Sequence, residues 1–221
     1  MQPHIYTSMV ADGSMKSING DHTVARKNKI VFLEKNHINP ADTTLHTLSY
    51  GGDNYRRYIT LDDTAKGDGI LRDSTIDADA VVVTRPNHAL LLPPADCIAA
   101  VIHDPVKNIL MMSHLGRHSL VQNGGTESIK YLVEKHGVNP QDLTVWLSPA
   151  AGKGNYPLYA FDNRGSHDVA TEQLVAASVL PDNITTSPID TTTDLNYFSH
   201  SQFIKGNRET DGRFAVVAIL N

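Results

Sequence analysis

Between residues 80 and 114, four short apolar runs follow one another closely: 80–84 (AVVVT), 89–92 (ALLL), 98–102 (IAAVI) and 109–112 (ILMM). Prolines, asparagines and aspartates punctuate the gaps. Runs of this length, rich in branched aliphatic residues and bounded by turn formers, predict β-strands. The centre of the chain is thereby committed to a sheet. The last two runs flank His103-Asp104-Pro105-Val106-Lys107-Asn108, a turn-rich linker. Antiparallel pairing across it carries residues 97 and 114 to the same end of one hairpin.

Helices alternate with strands beyond this core. Gly124-Gly125 precede Thr126, a candidate cap for a helix from Glu127 to about His136, with Ile129, Leu132 and Val133 on one face and Gly137 as the stop. A strand is expected over 143–147 (LTVWL). A helix capped by Asp168 follows, carrying Val169, Leu174, Val175 and Val179 before Pro181, and a strand over 213–220 closes the chain. Upstream, 29–33 (KIVFL) reads as a buried strand that delivers His37 to its C-terminal end. Residues 38–73 are polar, with only 58–61 resembling an edge strand, and are expected to be the mobile stretch. The rhythm predicts an α/β (α+β) fold with mixed β-sheets forming the core, flanked by helices. No repeat, low-complexity tract or linker divides the chain, so residues 1–221 are expected to form a single domain.

With 221 residues, the chain can bury one sizeable core. Its formal charge is −5, and no block of five or six Lys/Arg occurs, so the footprint of a general nucleic-acid binder is missing and a small-molecule substrate is expected. No segment approaches the roughly 18 apolar residues of a membrane span, and the opening stretch does not pair a basic region with an apolar run of roughly 7 residues, so no secretory leader is expected. A cytoplasmic location is the expectation.

Cys97 is the only cysteine. A lone thiol has no intramolecular disulfide partner, which leaves packing, nucleophilic chemistry or metal ligation. His37, Cys97 and His114 each stand at the edge of a predicted strand, where side chains can converge. Imidazole and thiolate suit zinc or copper, and three protein ligands with one open position characterise a catalytic zinc. The competing reading makes Cys97 a small buried hydrophobe and the histidines partners of backbone carbonyls. Spacing alone leaves both open.

The blocks 78–84 (ADAVVVT), Pro94-Ala95-Asp96-Cys97, His103-Asp104-Pro105 and His114-Leu115-Gly116 resemble, in order and spacing, the central signature of the laccase-domain family, also described as purine nucleoside phosphorylases. Residues 29–37 are similar to the family's strand ending in Q-x-H, 148–152 (SPAAG) to its G-P-x-I-G turn, and 197–199 with 211–213 to its C-terminal blocks. The resemblance covers roughly residues 29–221 and implies that the domain is catalytic. It also implies that His37, Cys97 and His114 are metal ligands, with Cys97 and His114 catalytic. Asp96, beside Cys97, is the further catalytic candidate: it either orients a ligand histidine or caps the turn. Zn²⁺ is the implied cofactor, with Cu²⁺ the alternative. The implied chemistry is purine nucleoside phosphorolysis or adenosine deamination. Copper-dependent polyphenol oxidation ranks lower, because a multicopper centre needs many more histidines than three.

Several departures bear on phosphate. The family's HAGWRG block reads HLGRHS here, placing Arg117 and His118 where the family has Trp and Arg, and both arginines of its FFSYRR block are absent. Arg117, His118, Arg213 and Arg26 are the remaining candidate substrate contacts, Arg26 by similarity to a family Asn-Arg pair. Hydrolytic chemistry survives such losses more easily than phosphorolysis. Two rivals stand beside the metalloenzyme. The same fold resembles the deamidating domain of cytotoxic necrotizing toxins, in which Cys97 would be a nucleophile with His114 as its base. The other is a non-catalytic metal-binding protein. His103, in the hairpin turn, is expected to be exposed.

Overall fold

The computed structural model describes residues 2–17, 20–50 and 52–220. In chain order it comprises β1 (His4–Thr7), α1 (Thr23–Lys35), β2 (Thr43–Leu45), β3 (Tyr58–Thr60), β4 (Ala80–Val83), β5 (Ala89–Leu92), β6 (Ile98–Asp104) and β7 (Ile109–Leu115). It continues with α2 (Arg117–Val121), α3 (Gly124–His136), β8 (Thr144–Leu147), α4 (Ser166–Ala176), β9 (Ile184–Thr186), α5 (His200–Ile204) and β10 (Val216–Ile219). Two mixed sheets form: one of four strands in the order β1-β10-β5-β2, the other of six in the order β3-β4-β7-β6-β8-β9. The molecule is of the α/β class. No helix among the described residues is long and apolar enough to cross a membrane.

Strand alternation sorts side chains into layers. Ile98, Ala100 and Ile102 of β6 pack with Leu120, Ile129, Leu132 and Leu174 of α2, α3 and α4. Their neighbours Ala99 and Val101 point the other way, against Leu90 and Leu92 of β5 and Val216 and Ala218 of β10. The alternate residues of that second sheet, Ala89, Leu91, Val217 and Ile219, meet Phe32 and Leu33 of α1. Four layers therefore stack as helix, sheet, sheet, helices. Strands β4 to β7, buried on both faces, carry the continuous apolar runs that such burial demands.

One expected element is of the wrong type. Residues 29–33 lie inside α1 rather than in a strand, because Ala25, Lys29, Phe32 and Leu33 form one buried helical face. A lysine in that face hides the period. His37 follows the helix at φ 58°, where the Ile38 N–H closes the helix end on the Leu33 carbonyl at 2.9 Å. His37 is exposed there. The other boundary differences are local. Thr126 lies inside α3, donating to the Gln173 carbonyl at 2.9 Å, and Asp168 sits within the first turn of α4 rather than at its cap. Gly137 stops α3 at φ 62°, as expected. His103 is buried rather than exposed, because β6 runs on through Asp104.

Candidate active site

Register fixes the first wall of the site. Strands β6 and β7 pair with Ile98 opposite Leu115 and Ala99 opposite His114, so Cys97 and His114 emerge at one end of the hairpin. Gly116 lies between them. A Cβ on Gly116 would stand 2.9 Å from Cys97 Sγ, 2.7 Å from His114 Cε1 and 3.2 Å from His114 Nε2, so only glycine lets the thiol and imidazole face one gap. Burial, then the Asp96 carboxylate, pushes the Cys97 thiol up to about 11. Burial, followed by the nearby His46 and His118, pushes the His114 imidazole down to about 3. Both are thus held neutral, the forms that bind a metal once the thiol proton leaves.

Asp96 does not orient a histidine. Its Oδ1 accepts from Thr191 Oγ1 at 2.9 Å and its Oδ2 from the Ser201 N–H at 2.6 Å, while its carbonyl accepts from the Ala151 N–H at 2.9 Å. It is buried and holds φ 74°, a conformation that costs a non-glycine residue of order 1 kcal/mol unless neighbours over-determine it. Three partners from distant segments do so here. Asp96 is a positioning residue for the Cys97 turn.

The second wall comes from β2 and the loop after it. Parallel pairing of β2 with β5 places His46 just beyond the strand end. His46 is fully buried. Its Nε2 is 2.8 Å from the Ala78 carbonyl, whereas Nδ1 is buried with no partner. Donation from Nε2 fixes the tautomer that leaves a lone pair on Nδ1. The loop is fastened by Asp79, fully buried beside β4, which takes Arg57 Nε at 2.8 Å on Oδ2 and Arg57 Nη2 at 3.0 Å on Oδ1. Arg57 also reaches Asp77 at 2.7 Å and the Ser49 carbonyl at 3.0 Å. Thus held, the loop presents Tyr50 edge-on to His114, with ring centroids 6.2 Å apart, and stacks Tyr55 on His118 at 4.9 Å.

Two adjoining cavities share Leu48, Tyr50, Pro93 and Arg213. The larger, about 430 Å³, holds Cys97, His114, Arg117, His118, Tyr55 and Tyr156. The smaller, about 250 Å³, holds His46, Lys29 and Arg26. Of the residues expected from sequence, Cys97, His114, Asp96, Arg117, His118 and Arg213 share the larger cavity. Arg26 lies in the smaller one, paired with Asp73 at 2.7 Å. His37 lines neither cavity. A buried histidine near His114 stands instead at the end of β2: His46, which lines the smaller cavity. Sequence reading passed over it because Thr43-Thr44-Leu45 is too short and polar to stand out. Tyr50, Tyr55 and Lys29 were passed over as well. Among the described residues, no three His, Cys, Asp or Glu side chains form a ready metal cluster.

Residues 18–163 match the sequence model of a family described as multi-copper polyphenol oxidoreductase laccase. The chain is 30% identical over 104 residues to purine nucleoside phosphorylase YlmD of Bacillus subtilis, spanning 47% of this chain and 37% of that protein. It is also 30% identical over 77 residues to a purine nucleoside phosphorylase of Haemophilus influenzae, spanning 35% of this chain and 30% of that one. The matched stretches thus cover about a third of these relatives' length. Similar folds occur in the solved structures of the Bacillus licheniformis hypothetical protein YfiH and of YlmD from Geobacillus stearothermophilus. The first has a TM-score of 0.82 at 20% identity, covering 94% of this chain and 85% of that one. The second has a TM-score of 0.80 at 17% identity, covering 94% and 84%.

Proposed function

Since the chain belongs to the family described as multi-copper polyphenol oxidoreductase laccase, we propose that it is a metal-dependent enzyme acting on purine nucleosides, by phosphorolysis or adenosine deamination. His46, Cys97 and His114 would hold the ion, for which zinc is preferred over copper. The names of the relatives support the nucleoside class. The observation that carries the metal reading is the unpartnered, buried Nδ1 of His46 beside a thiol and an imidazole that face one gap. An orphaned buried ring nitrogen costs about 1–3 kcal/mol, and a metal bond relieves it. One thiolate and two imidazoles suit zinc, leaving a fourth position open.

When bound, such an ion lowers the pKa of water or polarises an electrophile. The remaining tasks belong to this chain. A cavity of about 430 Å³ is in the range that small-molecule ligands occupy. The Tyr55–His118 stack and the Tyr50 edge give a purine flat and edge-on aromatic surfaces. Tyr156 and Ile204 add further lining to the same cavity. His118 is exposed at the mouth, placed to pass a proton between substrate and solvent.

A metal-free Cys-His hydrolase is less well supported, because it would leave the buried Nδ1 of His46 without a partner, which a metal bond would supply. Polyphenol oxidation at a multicopper centre is disfavoured by a donor set of three. Elemental analysis combined with product assays on adenosine and inosine tests the proposal. About one ion per chain is expected, lost in Cys97→Ala, His114→Ala and His46→Ala and retained in His37→Ala. Full turnover by a metal-stripped preparation would reject it.

A further inference from the structure

Lys29 is an unusual residue for the interior of a helix–sheet interface. It is 4% exposed and turned into the core face of α1, yet it makes no hydrogen bond or ion pair among the described residues. Buried ammonium groups are almost always paired, since desolvating a charge without a partner is costly. Lys29 lines the smaller cavity, which adjoins the Cys97–His114 cavity through Tyr50 and Arg213. The same cavity receives Lys16, Arg26, Arg72 and Arg213 and a single carboxylate, Asp73.

The other cations there are already engaged. Arg26 meets Asp73 at 2.7 Å, Arg213 meets Asp211 at 2.7 Å, and Lys16 also pairs with Asp211. Arg72 donates to the carbonyls of Thr64 and Lys66, both at 2.7 Å. Among the described residues, Lys29 alone of these cations keeps all three donors uncommitted, in a concave space whose lining cations outnumber its carboxylates. An ammonium kept in such a place is a point-charge contact for an oxyanion. Burial, then the neighbouring Arg26, pushes its pKa down to about 8, as expected for a cation waiting for a counter-charge.

We propose that the cavity around Lys29 is an oxyanion subsite for a phosphate group, with Lys29 as its central contact and Arg26, Arg72 and Arg213 as its cationic wall. The proposal rests on the nucleoside reading for what occupies the adjoining cavity, and it supplies from α1, the loop at Arg72 and Arg213 ahead of β10 the positive charge missing from the blocks at 114–119 and 197–202. A phosphate there lies next to the nucleoside cavity, where Tyr50 and Arg213 line both spaces. Two sources fit the same chemistry: inorganic phosphate as a cosubstrate, or the phosphate of a nucleoside monophosphate spanning both cavities.

Calorimetric titration of the full-length protein with inorganic phosphate, and separately with adenosine monophosphate, tests this. Wild type is expected to bind phosphate in competition with sulfate. Lys29→Met is expected to weaken binding about 10- to 100-fold, with Lys29→Arg partly restoring it. Lys29→Met should also melt no lower than wild type, since it removes an unpaired buried charge. Phosphate binding unaffected by Lys29→Met, or no phosphate binding by wild type at millimolar concentration, overturns the proposal. Should the variant fail to fold, phosphate protection of Lys29 from reductive methylation in wild type decides the matter, and absence of protection counts against the site. Monophosphate binding tighter than phosphate plus adenosine identifies the spanning ligand; the reverse identifies the free cosubstrate. Phosphate binding without any nucleoside turnover would reject the nucleoside reading and leave the subsite standing, whereas turnover indifferent to both phosphate and Lys29 would do the opposite.

Discussion

The two walls of the site are built on different physical terms. Cys97 and His114 sit at one end of a seven-residue hairpin pair, where backbone register between adjacent strands sets their separation. His46, Tyr50 and Tyr55 belong to a three-residue strand and the loop beyond it, held by one buried carboxylate and one arginine. The hairpin wall is rigid because its geometry follows from the ladder. The loop wall is fixed by polar contacts that a single substitution can remove. The thiol–imidazole pair is thus seated on the firm side, and His46, Tyr50 and Tyr55 on the adjustable one.

Disturbing the firm wall should have the largest effect. Gly116→Ala puts a methyl into the gap at less than 3 Å from both Cys97 Sγ and His114 Cε1, so one of them must move. A displacement of about 1 Å in a reacting centre is enough for roughly a hundredfold loss of kcat. Steady-state turnover, with circular dichroism as the folding control, measures it. A fully active Gly116→Ala would show that the thiol–imidazole gap is not where chemistry happens.

On the adjustable wall, Arg57→Ala strands the fully buried Asp79 without its bidentate partner. Removing one member of a buried pair costs about 3–5 kcal/mol, and the lower end applies because Arg57 is itself partly exposed. Urea denaturation should show this loss, with the Tyr50–Tyr55 loop gaining amide exchange. Equal exchange in both proteins would mean that the loop is held by something else.

Acid should separate the walls less sharply, since both contain buried neutral imidazoles. Burial pushes His46 down to about 4 and His114 to about 3, from the usual 6.5, and His88, buried beneath the loop wall with Nε2 2.7 Å from Thr44 Oγ1 of β2, also to about 4. An unfolded chain accepts these protons at a higher pH than the folded one, so stability should hold above pH 6.5 and fall as pH drops from 6.5 towards 4. Each such group contributes on the order of 3 kcal/mol by pH 4. Replacing His88 with Gln should flatten the slope of stability against pH in that window; an unchanged slope would place the acid sensitivity elsewhere.

Smaller still is the effect expected of Tyr55→Ala. Loss of the stack on His118 should raise KM for a nucleoside by about fivefold, near 1 kcal/mol, and leave kcat within a few-fold. A fall in kcat at constant KM would instead place Tyr55 in the chemical step. His37→Ala, on the exposed end of α1, should change nothing in metal content or turnover.

The same contrast explains what could be read from the chain beforehand. The hairpin wall announces itself through continuous apolar runs and a turn between them, so both its strands and the meeting of residues 97 and 114 were legible. The loop wall lacks such marks. In α1 the buried face includes Lys29, and a polar residue at a core position erases the helical period that Ala25, Phe32 and Leu33 would otherwise display. Mistaking that helix for a strand moved the histidine at its end, His37, into the site. β2 is stabilised by β5, more than forty residues downstream, rather than by local pattern, so His46 carried no local signal. Its orphaned nitrogen is visible only in three dimensions.

Asp96 has a consequence for the order in which the protein comes together. The turn that aims Cys97 is completed by donors at residues 191 and 201, the second of them 105 positions further along. On a ribosome, the hairpin can form while its partners are still unsynthesised, but the strained Asp96 turn has nothing to hold it until the last stretch of chain emerges. The thiol therefore acquires its final direction late, after the hairpin beneath it has formed.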